Sequence, residues 1–189
     1  MENIHSFLLP DLQELEKHMI HLLTNWLKSH KQKYMLLAPT GVAAQNIGGR
    51  TIHSALRLSQ SPSGFQSLAL HNPVFKKELL QIQTIIIDEI SMVSAALLNF
   101  VSQLFANIHS NDIAFGGINI IVAGDLAQLP PVGGTQVFHS TIWHLFYPLF
   151  LCQPRRQQDD KFFYQILEEI RLSQSSWNEM TKRQLTSIV

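Results

Sequence analysis

The chain has 189 residues, in which 14 lysines and arginines balance 14 aspartates and glutamates. This length predicts one domain with its own core, and the charge balance excludes a polycation while allowing a local basic groove. Charged residues make up 15% and apolar residues 46%, so extensive disorder is not expected. The single cysteine, Cys152, excludes a disulfide framework and fits a reducing, intracellular compartment. No apolar run is long enough to span a membrane.

The first part of the chain predicts a long helix followed by a buried strand. Apolar residues recur every three or four positions over 11–30, which predicts an amphipathic helix. The apolar run 34–38 is stopped by Pro39 and Gly41 and predicts a buried strand. Two short helices and a serine-rich loop are predicted next, at 42–47, 51–58 and 59–64.

The second part predicts further strands alternating with helices. Three consecutive isoleucines in 84–88 end at a carboxylate, which is typical of a central parallel strand buried on both faces. A helix is predicted over 94–108, and a third strand over 118–123. The remaining predictions are a rigid loop, a short helix, a strand and two helices, at 130–134, 141–146, 149–151, 159–172 and 176–189. This alternation predicts an α/β domain whose ligands bind at the carboxyl ends of parallel strands.

Carboxylates accumulate where basic residues are missing. The segment 79–154 contains no lysine or arginine, and Asp88, Glu89 and Asp125 each follow an apolar strand. A carboxylate beside a dry core is costly unless it is paired or bound to a metal. The residues alone leave two interpretations open: a divalent cation such as Mg²⁺, or distant basic groups and backbone N–H donors.

Three ordered segments carry the motifs of a known family, and a fourth matches more weakly. In chain order they are 38–44 with 47–49 and 51–54, then 85–92, then 115–117 with 124–132, and finally 151–157 with 160–171. Together they resemble the first motor domain of the Pif-type DNA helicases, relatives of bacterial RecD in helicase superfamily one.

The resemblance implies a RecA-like P-loop NTPase domain, with a mostly parallel central sheet and helices on both faces. The domain would occupy residues 1–173, and 174–189 would form a C-terminal helix or the start of the next segment. The family activity is ATP hydrolysis with Mg²⁺, coupled to 5′ to 3′ movement on single-stranded DNA and to duplex unwinding. From this resemblance we expect no second motor domain within the 189 residues. Repair, recombination, telomere maintenance and a nuclear location are expected from eukaryotic relatives.

The resemblance also assigns roles on the nucleotide side. Asp88 would hold Mg²⁺, and Glu89 would orient and deprotonate the attacking water. Gln128 would sense the γ-phosphate, and Arg156 would stabilise charge on the transferring phosphoryl group with its planar guanidinium. Lys17 stands at the position of the phosphate-loop lysine. Phosphoryl transfer depends mainly on such positioning and charge neutralisation.

On the DNA side, the resemblance assigns contacts to residues of the first motif: Pro39, Thr40, Gly41, Thr51, His53 and Ser54. Hydroxyl and backbone N–H groups in this motif would bind a phosphate of the strand. A histidine such as His53 is by itself more typical of a structural residue, so its DNA role depends on the surrounding motif.

The segment 11–18 departs from the family pattern. A phosphate loop reads G-x-x-x-x-G-K-[S/T], whereas the matching positions hold Asp11, Glu16, Lys17 and His18. The glycines matter because they let backbone N–H groups surround phosphates. We therefore predict no unwinding by this chain alone. Two interpretations stay open: part of an active ATP-dependent helicase, or a pseudoenzyme or fragment that only binds DNA or a partner.

Overall fold

Parallel strands form the central sheet of the computed structural model, which describes residues 10–62 and 64–149, with 10–14 described by their backbone alone. The strands within this part are β1 (Tyr34–Ala38), β2 (Arg50–Thr51), β3 (Leu58–Ser61), β4 (Gly64–Ser67), β5 (Thr84–Ile87) and β6 (Asn119–Val122). The α-helices of the same part are α1 (Pro10–Ser29), α2 (Gly41–Asn46), α3 (Ile52–Ala55), α4 (Pro73–Leu79) and α5 (Ala95–His109). Glu16–Pro148 forms one compact unit, and this unit holds every site described below.

The central sheet has the order β2-β1-β5-β6, and all of its strand pairs are parallel. Met35 is paired with Ile85, which is paired in turn with Ile120. Strands β3 and β4 form a separate antiparallel hairpin. Because the four main strands run the same way, their carboxyl ends meet at one edge and their amino ends at the other.

Strand β5 is buried along its whole length, as the isoleucine run predicted. Ile85 and Ile87 pack on one side of the sheet with residues of α5, such as Leu98 and Phe105. Ile86 packs on the other side with Ile20 and Leu27 of α1. Helices therefore cover both faces of the sheet. No helix in the described ranges is both long and apolar enough to cross a membrane.

The predictions for the helices over 11–30 and 94–108 and for the three apolar strands are confirmed, but two predictions for the connecting segments are wrong. The predicted loop 59–64 lies in the β3–β4 hairpin, and the helix predicted over 51–58 ends at Ala55. The apolar pattern does not predict the hairpin, because Leu58 and Phe65 are its only large apolar side chains. Helix α4 was not predicted, although Asn72 caps it and Pro73 begins it. The predictions over 151–189, including Arg156, lie outside the described residues.

Candidate functional site

The carboxyl edge of the sheet collects the polar residues that the sequence places after each strand. Backbone hydrogen bonds continue past the strand ends, from Asp88 N to Leu37 O at 2.9 Å and from Ala123 N to Ile87 O at 2.8 Å. Ile90 N then donates to Ala123 O at 2.9 Å. These bonds hold the segment after β5 against the segment after β6, as expected for neighbouring parallel strands.

Glu89 turns the chain sharply at the end of β5. Its backbone is left-handed (φ 51°, ψ 49°), and a short 3-10 helix, Ile90–Met92, follows it. This conformation is uncommon for a residue other than glycine. It ends the strand alternation, so Asp88 and Glu89 are not forced to opposite faces of the sheet. Asp88 is buried, with 3% of its surface exposed, while Glu89 is half-buried.

Gly124 allows the close approach between these two segments. Its φ is +140°, and a Cβ at this position would lie 2.8 Å from the backbone nitrogen of Ile90. Real Cβ atoms do not approach backbone that closely, so only glycine fits without a backbone shift. The glycine that ends the third predicted strand is therefore required by packing at the site.

A carboxyl group from α1 joins this edge. Glu16 accepts a hydrogen bond from the backbone N–H of Gly124. Burial, together with the nearby charges of Asp88, Glu89 and Asp125, raises the pKa of Glu16 from 4.5 to about 7. The site therefore holds four carboxyl groups close together, and one of them is partly protonated near neutral pH.

Lys17 places a positive charge near Asp88 and Glu89. Burial raises the pKa of Asp88, although the backbone N–H of Glu89 and the charge of Lys17 act in the opposite direction. Burial and the charge of Asp88 likewise raise the pKa of Glu89, and Lys17 again opposes the shift. The structure thus brings together three of the residues predicted for the nucleotide side: Lys17, Asp88 and Glu89.

The loop after β6 carries Gln128. The Asp125 carboxylate accepts a hydrogen bond from Ala127 N at 3.0 Å, and Gln128 N donates to the carbonyl oxygen of Asp125 at 2.9 Å. This turn fixes the start of a loop whose apolar side chains are exposed: Leu126, Leu129 and Val132. Gln128 is half-buried at the beginning of this exposed segment.

The surroundings of Lys17 do not fit a bound triphosphate. Residues 11–18 belong to the continuous helix α1, so from the second turn onward backbone N–H groups point along the helix axis to its own carbonyls. A phosphate loop instead needs N–H groups that converge on the ligand. Glu16, in place of the second glycine, adds a carboxylate that repels phosphate when ionised. Among the residues that the structure describes, no group of three or more histidine, cysteine or acidic side chains could hold a metal ion.

The residues predicted to contact DNA also converge, at the ends of β1 and β2. Ala38 is paired with Thr51, so Thr51 ends β2 beside the end of β1, and Thr40 lies two residues beyond Ala38. The Thr40 hydroxyl accepts a hydrogen bond from Ala43 N at 3.2 Å and caps α2, and the Thr51 hydroxyl accepts one from Ser54 N at 3.2 Å and caps α3. Each hydroxyl still has a hydrogen to donate.

Exposed groups surround these two capped helices. Gly41 is exposed, with no atom within 4 Å of where a Cβ would stand. His53 is also exposed, and its ring meets Phe65 of β4 edge to face at 6.0 Å. The Arg50 guanidinium donates to the carbonyl and hydroxyl oxygens of Ser54, at 3.1 and 3.2 Å. Pro39 lies between β1 and this cluster and is half-buried.

Sequence reasoning missed two participants at these sites. Glu16 was recognised as a departure from the phosphate-loop pattern, but its contact with Gly124 was not foreseen, because 108 positions separate the two residues. Phe65 was missed because its segment was not predicted to form a strand. The signal for Phe65 was a single aromatic residue between a glycine and polar residues, which is too weak to indicate a role.

Comparisons with known proteins agree with the motif pattern. A family model described as PIF1-like helicase matches residues 16–182. The human ATP-dependent DNA helicase PIF1 is 36% identical over 155 residues, which covers 77% of this chain. The crystal structure of Pif1 helicase from Candida albicans superposes with a TM-score of 0.74 at 28% identity, covering 89% of this chain and 40% of that one.

A further neighbour is the crystal structure of Pif1 helicase from Bacteroides in complex with ADP-AlF3 and ssDNA. It has a TM-score of 0.62 at 30% identity, covering 74% of this chain and 36% of that one. The chain spans 24% of the length of the human relative. The match to the family model begins at Glu16, so Lys17 is its second residue.

Proposed function

The chain belongs to the PIF1-like helicase family, and on that premise we propose that it is part of an ATP-dependent 5′ to 3′ DNA helicase. Relatives are named ATP-dependent DNA helicases, so the family hydrolyses ATP. The proposed contribution of this chain is the single-stranded DNA contact of a first motor domain. The observation that carries this proposal is the pairing of Ala38 with Thr51, which places the N-caps of the two hydroxyl-capped helices at neighbouring strand ends.

The proposed DNA contact is to the phosphate backbone. Thr40, Thr51 and Ser54 offer hydroxyl groups, Gly41 offers an uncrowded backbone, and Pro39 directs the chain into this turn. Arg50 supplies a positive charge beside Ser54, and exposed His53 supplies a ring. Contacts of this kind position a strand without reading its sequence, so binding should depend on salt far more than on base composition.

On the nucleotide side we propose Lys17, Asp88, Glu89, Gln128 and Arg156 as the residues that face ATP and Mg²⁺ in the family arrangement. The helical segment at 11–18 does not fit a triphosphate, so we assign no ATP turnover and no unwinding to this chain by itself. A nuclear location and roles in repair, recombination and telomere maintenance are proposed from family membership alone.

A second candidate function is a binding module without turnover, acting on DNA or on a protein partner. The hydrogen bond from Gly124 to Glu16 favours this candidate, because a carboxyl group lies against strand ends that face phosphate in an ATPase. The first candidate predicts DNA binding, and the second does so when its partner is DNA. The two candidates differ in ATP turnover. The first predicts ATP hydrolysis when a second motor domain is added to the chain, and the second predicts none.

Binding of a fluorescently labelled oligothymidylate, followed by anisotropy at low salt, tests the proposed DNA contact. We expect His53→Ala to weaken binding about three- to tenfold through loss of one ring contact. The matched control is His71→Ala, which removes an exposed histidine outside the candidate site. Equal affinities for both variants and the unmodified chain would remove His53 from the proposed site.

The DNA-facing surface as a whole is tested by Arg50→Gln combined with Gly41→Asp. We expect at least a tenfold loss of oligothymidylate affinity, because one cation is removed and an anion is introduced beside the bound phosphate. A thermal melt checks that the variant is folded. If a folded variant binds the strand as well as the unmodified chain does, the proposed DNA contact is wrong.

A further inference from the structure

The amino edge of the sheet carries positive charge around an exposed tryptophan. We propose that this edge is a second binding surface for single-stranded nucleic acid, separate from the DNA-facing surface at the carboxyl edge. The basic edge consists of the exposed side chains of Lys28, Lys31 and Lys33 together with Trp26 and the neighbouring residues of α4. The proposal does not depend on the family assignment, because no family motif quoted above lies in this segment.

A fixed turn presents the three lysines. Lys31 has a left-handed backbone (φ 55°), and its N–H donates to Lys28 O at 3.0 Å, while Gln32 N donates to Leu27 O at 2.9 Å. These bonds end α1 in a closed turn of the kind that left-handed residues make. Leu27 is buried, which anchors the turn to the sheet. The lysines therefore project from a structured segment.

Lys33 ties this turn to the start of β5. Its N–H donates to the side-chain oxygen of Gln83 at 3.2 Å, and Gln83 N donates to Lys33 O at 2.8 Å. The Lys33 ammonium donates to the side-chain oxygen of Gln81. Lys77 and Lys76, in the last turn of α4, lie four and five residues before Gln81. Two separate segments thus bring lysines to the same edge.

Trp26 gives this edge an aromatic surface. Its side chain is 51% exposed, and its ring lies 4.1 Å from the His30 ring at an interplanar angle of 30°. The His30 Nδ1 lies 2.8 Å from Trp26 O, within hydrogen-bond distance, which holds this ring against the indole. An exposed aromatic ring beside cations is the combination that binds single strands, because bases stack on the ring while lysines meet phosphates.

Most of the lysines and arginines of the described residues lie at the basic edge, and most of the described carboxylates lie at the opposite edge. Five of the eight described lysines and arginines belong to the basic edge, namely Lys28, Lys31, Lys33, Lys76 and Lys77. The carboxylates at the opposite edge are Glu16, Asp88, Glu89 and Asp125. Two other carboxylates precede strands: Glu78, next to Lys77 on α4, and Asp112, before β6, and the five lysines of the basic edge outnumber them. The basic edge therefore complements a polyanion although the whole chain is neutral.

Binding of a fluorescent oligothymidylate by the full chain tests the proposal, with anisotropy measured from about 50 to 200 mM salt. We expect the double variant Lys31→Gln/Lys33→Gln to lose at least fivefold in affinity at the low salt. Its log–log salt slope should fall by about 1.4, because two phosphate contacts are lost from a single strand. The matched control, Ala96→Glu/Gln103→Glu, changes the net charge equally on the exposed face of α5 and should bind within twofold of the unmodified chain.

The tryptophan is tested separately. We expect Trp26→Ala to weaken binding about five- to fiftyfold, and Trp26→Phe to keep most of the affinity because a ring remains for stacking. Leu22→Ala controls for loss of an exposed apolar side chain on the same helix. His53→Ala, at the other edge, should add to the lysine effect if one strand contacts both surfaces in the same complex.

Three results would overturn the proposal. The first is unchanged affinity in the folded lysine variant, and the second is an equal loss in the charge control. The third is a loss of affinity in the lysine variant but not in Trp26→Ala, together with binding of heparin or anionic vesicles as tight as that of the oligothymidylate. That outcome would identify a general polyanion or membrane surface instead of a site for nucleic acid.

Discussion

Glu16 accepts a hydrogen bond from the backbone N–H of Gly124, so a carboxyl group of α1 lies against the carboxyl end of β6. In the phosphate-loop pattern, the position before the lysine is a glycine. Here that position is Glu16, whose carboxyl group lies against the strand ends. A phosphate oxygen would need the same kind of donor, so the chain's own carboxyl group competes with nucleotide for this edge.

We therefore expect no binding of Mg²⁺-ATP by the purified chain at concentrations up to about one millimolar, measured by titration calorimetry. The helical backbone of 11–18 offers no convergent N–H groups to a phosphate. An ionised Glu16 about 4 Å from a phosphate charge would add about 4 kcal/mol of repulsion at an effective dielectric constant near 20. That figure is an upper limit, because the pKa of Glu16 is about 7 and the group is partly protonated near neutral pH. Lys17→Ala and the control Lys76→Ala should both behave like the unmodified chain. Binding tighter than about 100 μM that Lys17→Ala alone abolishes would contradict this expectation.

The raised pKa of Glu16 makes stability depend on pH. The folded-state pKa is about 7 and the ordinary value is 4.5, so the folded chain holds this proton more tightly than the unfolded chain. Its contribution is fully present below pH 4.5 and is lost as pH rises through 7. Asp88 and Glu89, whose pKa values are also raised, change stability in the same direction.

Glu16→Gln should remove the largest part of this dependence while keeping an oxygen for the Gly124 N–H. Urea unfolding should show the variant more stable than the parent by on the order of 1 to 3 kcal/mol at pH 8, after allowance for partial solvent screening, and nearly equal at pH 4.5. Glu78→Gln, an exposed carboxylate on α4, serves as the control. A parent chain that becomes more stable between pH 5 and pH 8 would show that the sign is wrong.

The segments of this fold that could be predicted are those with long apolar runs. Ile85, Ile86 and Ile87 point alternately to the two faces of the sheet, so all three leave water only if both faces are covered. The central strand and the helices that cover it therefore follow from the sequence. The hairpin could not be predicted in the same way. Leu58 and Phe65 pair with the polar residues Ser67 and Gln60, so no alternation extends along either strand.

The candidate site divides in the same manner. Thr40 and Asp88 could be selected because each follows a recognisable strand, whereas Thr51 was selected only by its place in the first motif. Spacing could not reveal that Glu89 adopts a left-handed backbone or that Glu16 reaches Gly124. Both features depend on how the segments after β5 and β6 pack together, which is decided by tertiary contacts.

Gly124 should tolerate substitution poorly. Gly124→Ala places a Cβ within 2.8 Å of Ile90 N at a φ of +140°. We expect a loss of about 2 kcal/mol or more in the free energy of unfolding, from strain and from displacement of the Glu89 turn. Gly133→Ala is the matched control, since no atom lies within 4 Å of its added Cβ. If urea unfolding gives similar losses for both variants, the close packing at Gly124 is not the cause.

The loop after β6 should make the isolated chain self-associate. Leu126 and Leu129 are 42% and 48% exposed, and Val132 is completely exposed, so apolar side chains follow one another along the segment that carries Gln128. Exposed apolar patches promote association. Leu129→Gln/Val132→Ser should therefore raise the monomer fraction seen by light scattering after size-exclusion chromatography. Val74→Ser, a change at a 71% exposed valine on α4, should leave that fraction unchanged. The prediction is wrong if the parent chain stays monomeric at high concentration and elutes identically to the loop variant. That result would show that this loop does not cause self-association.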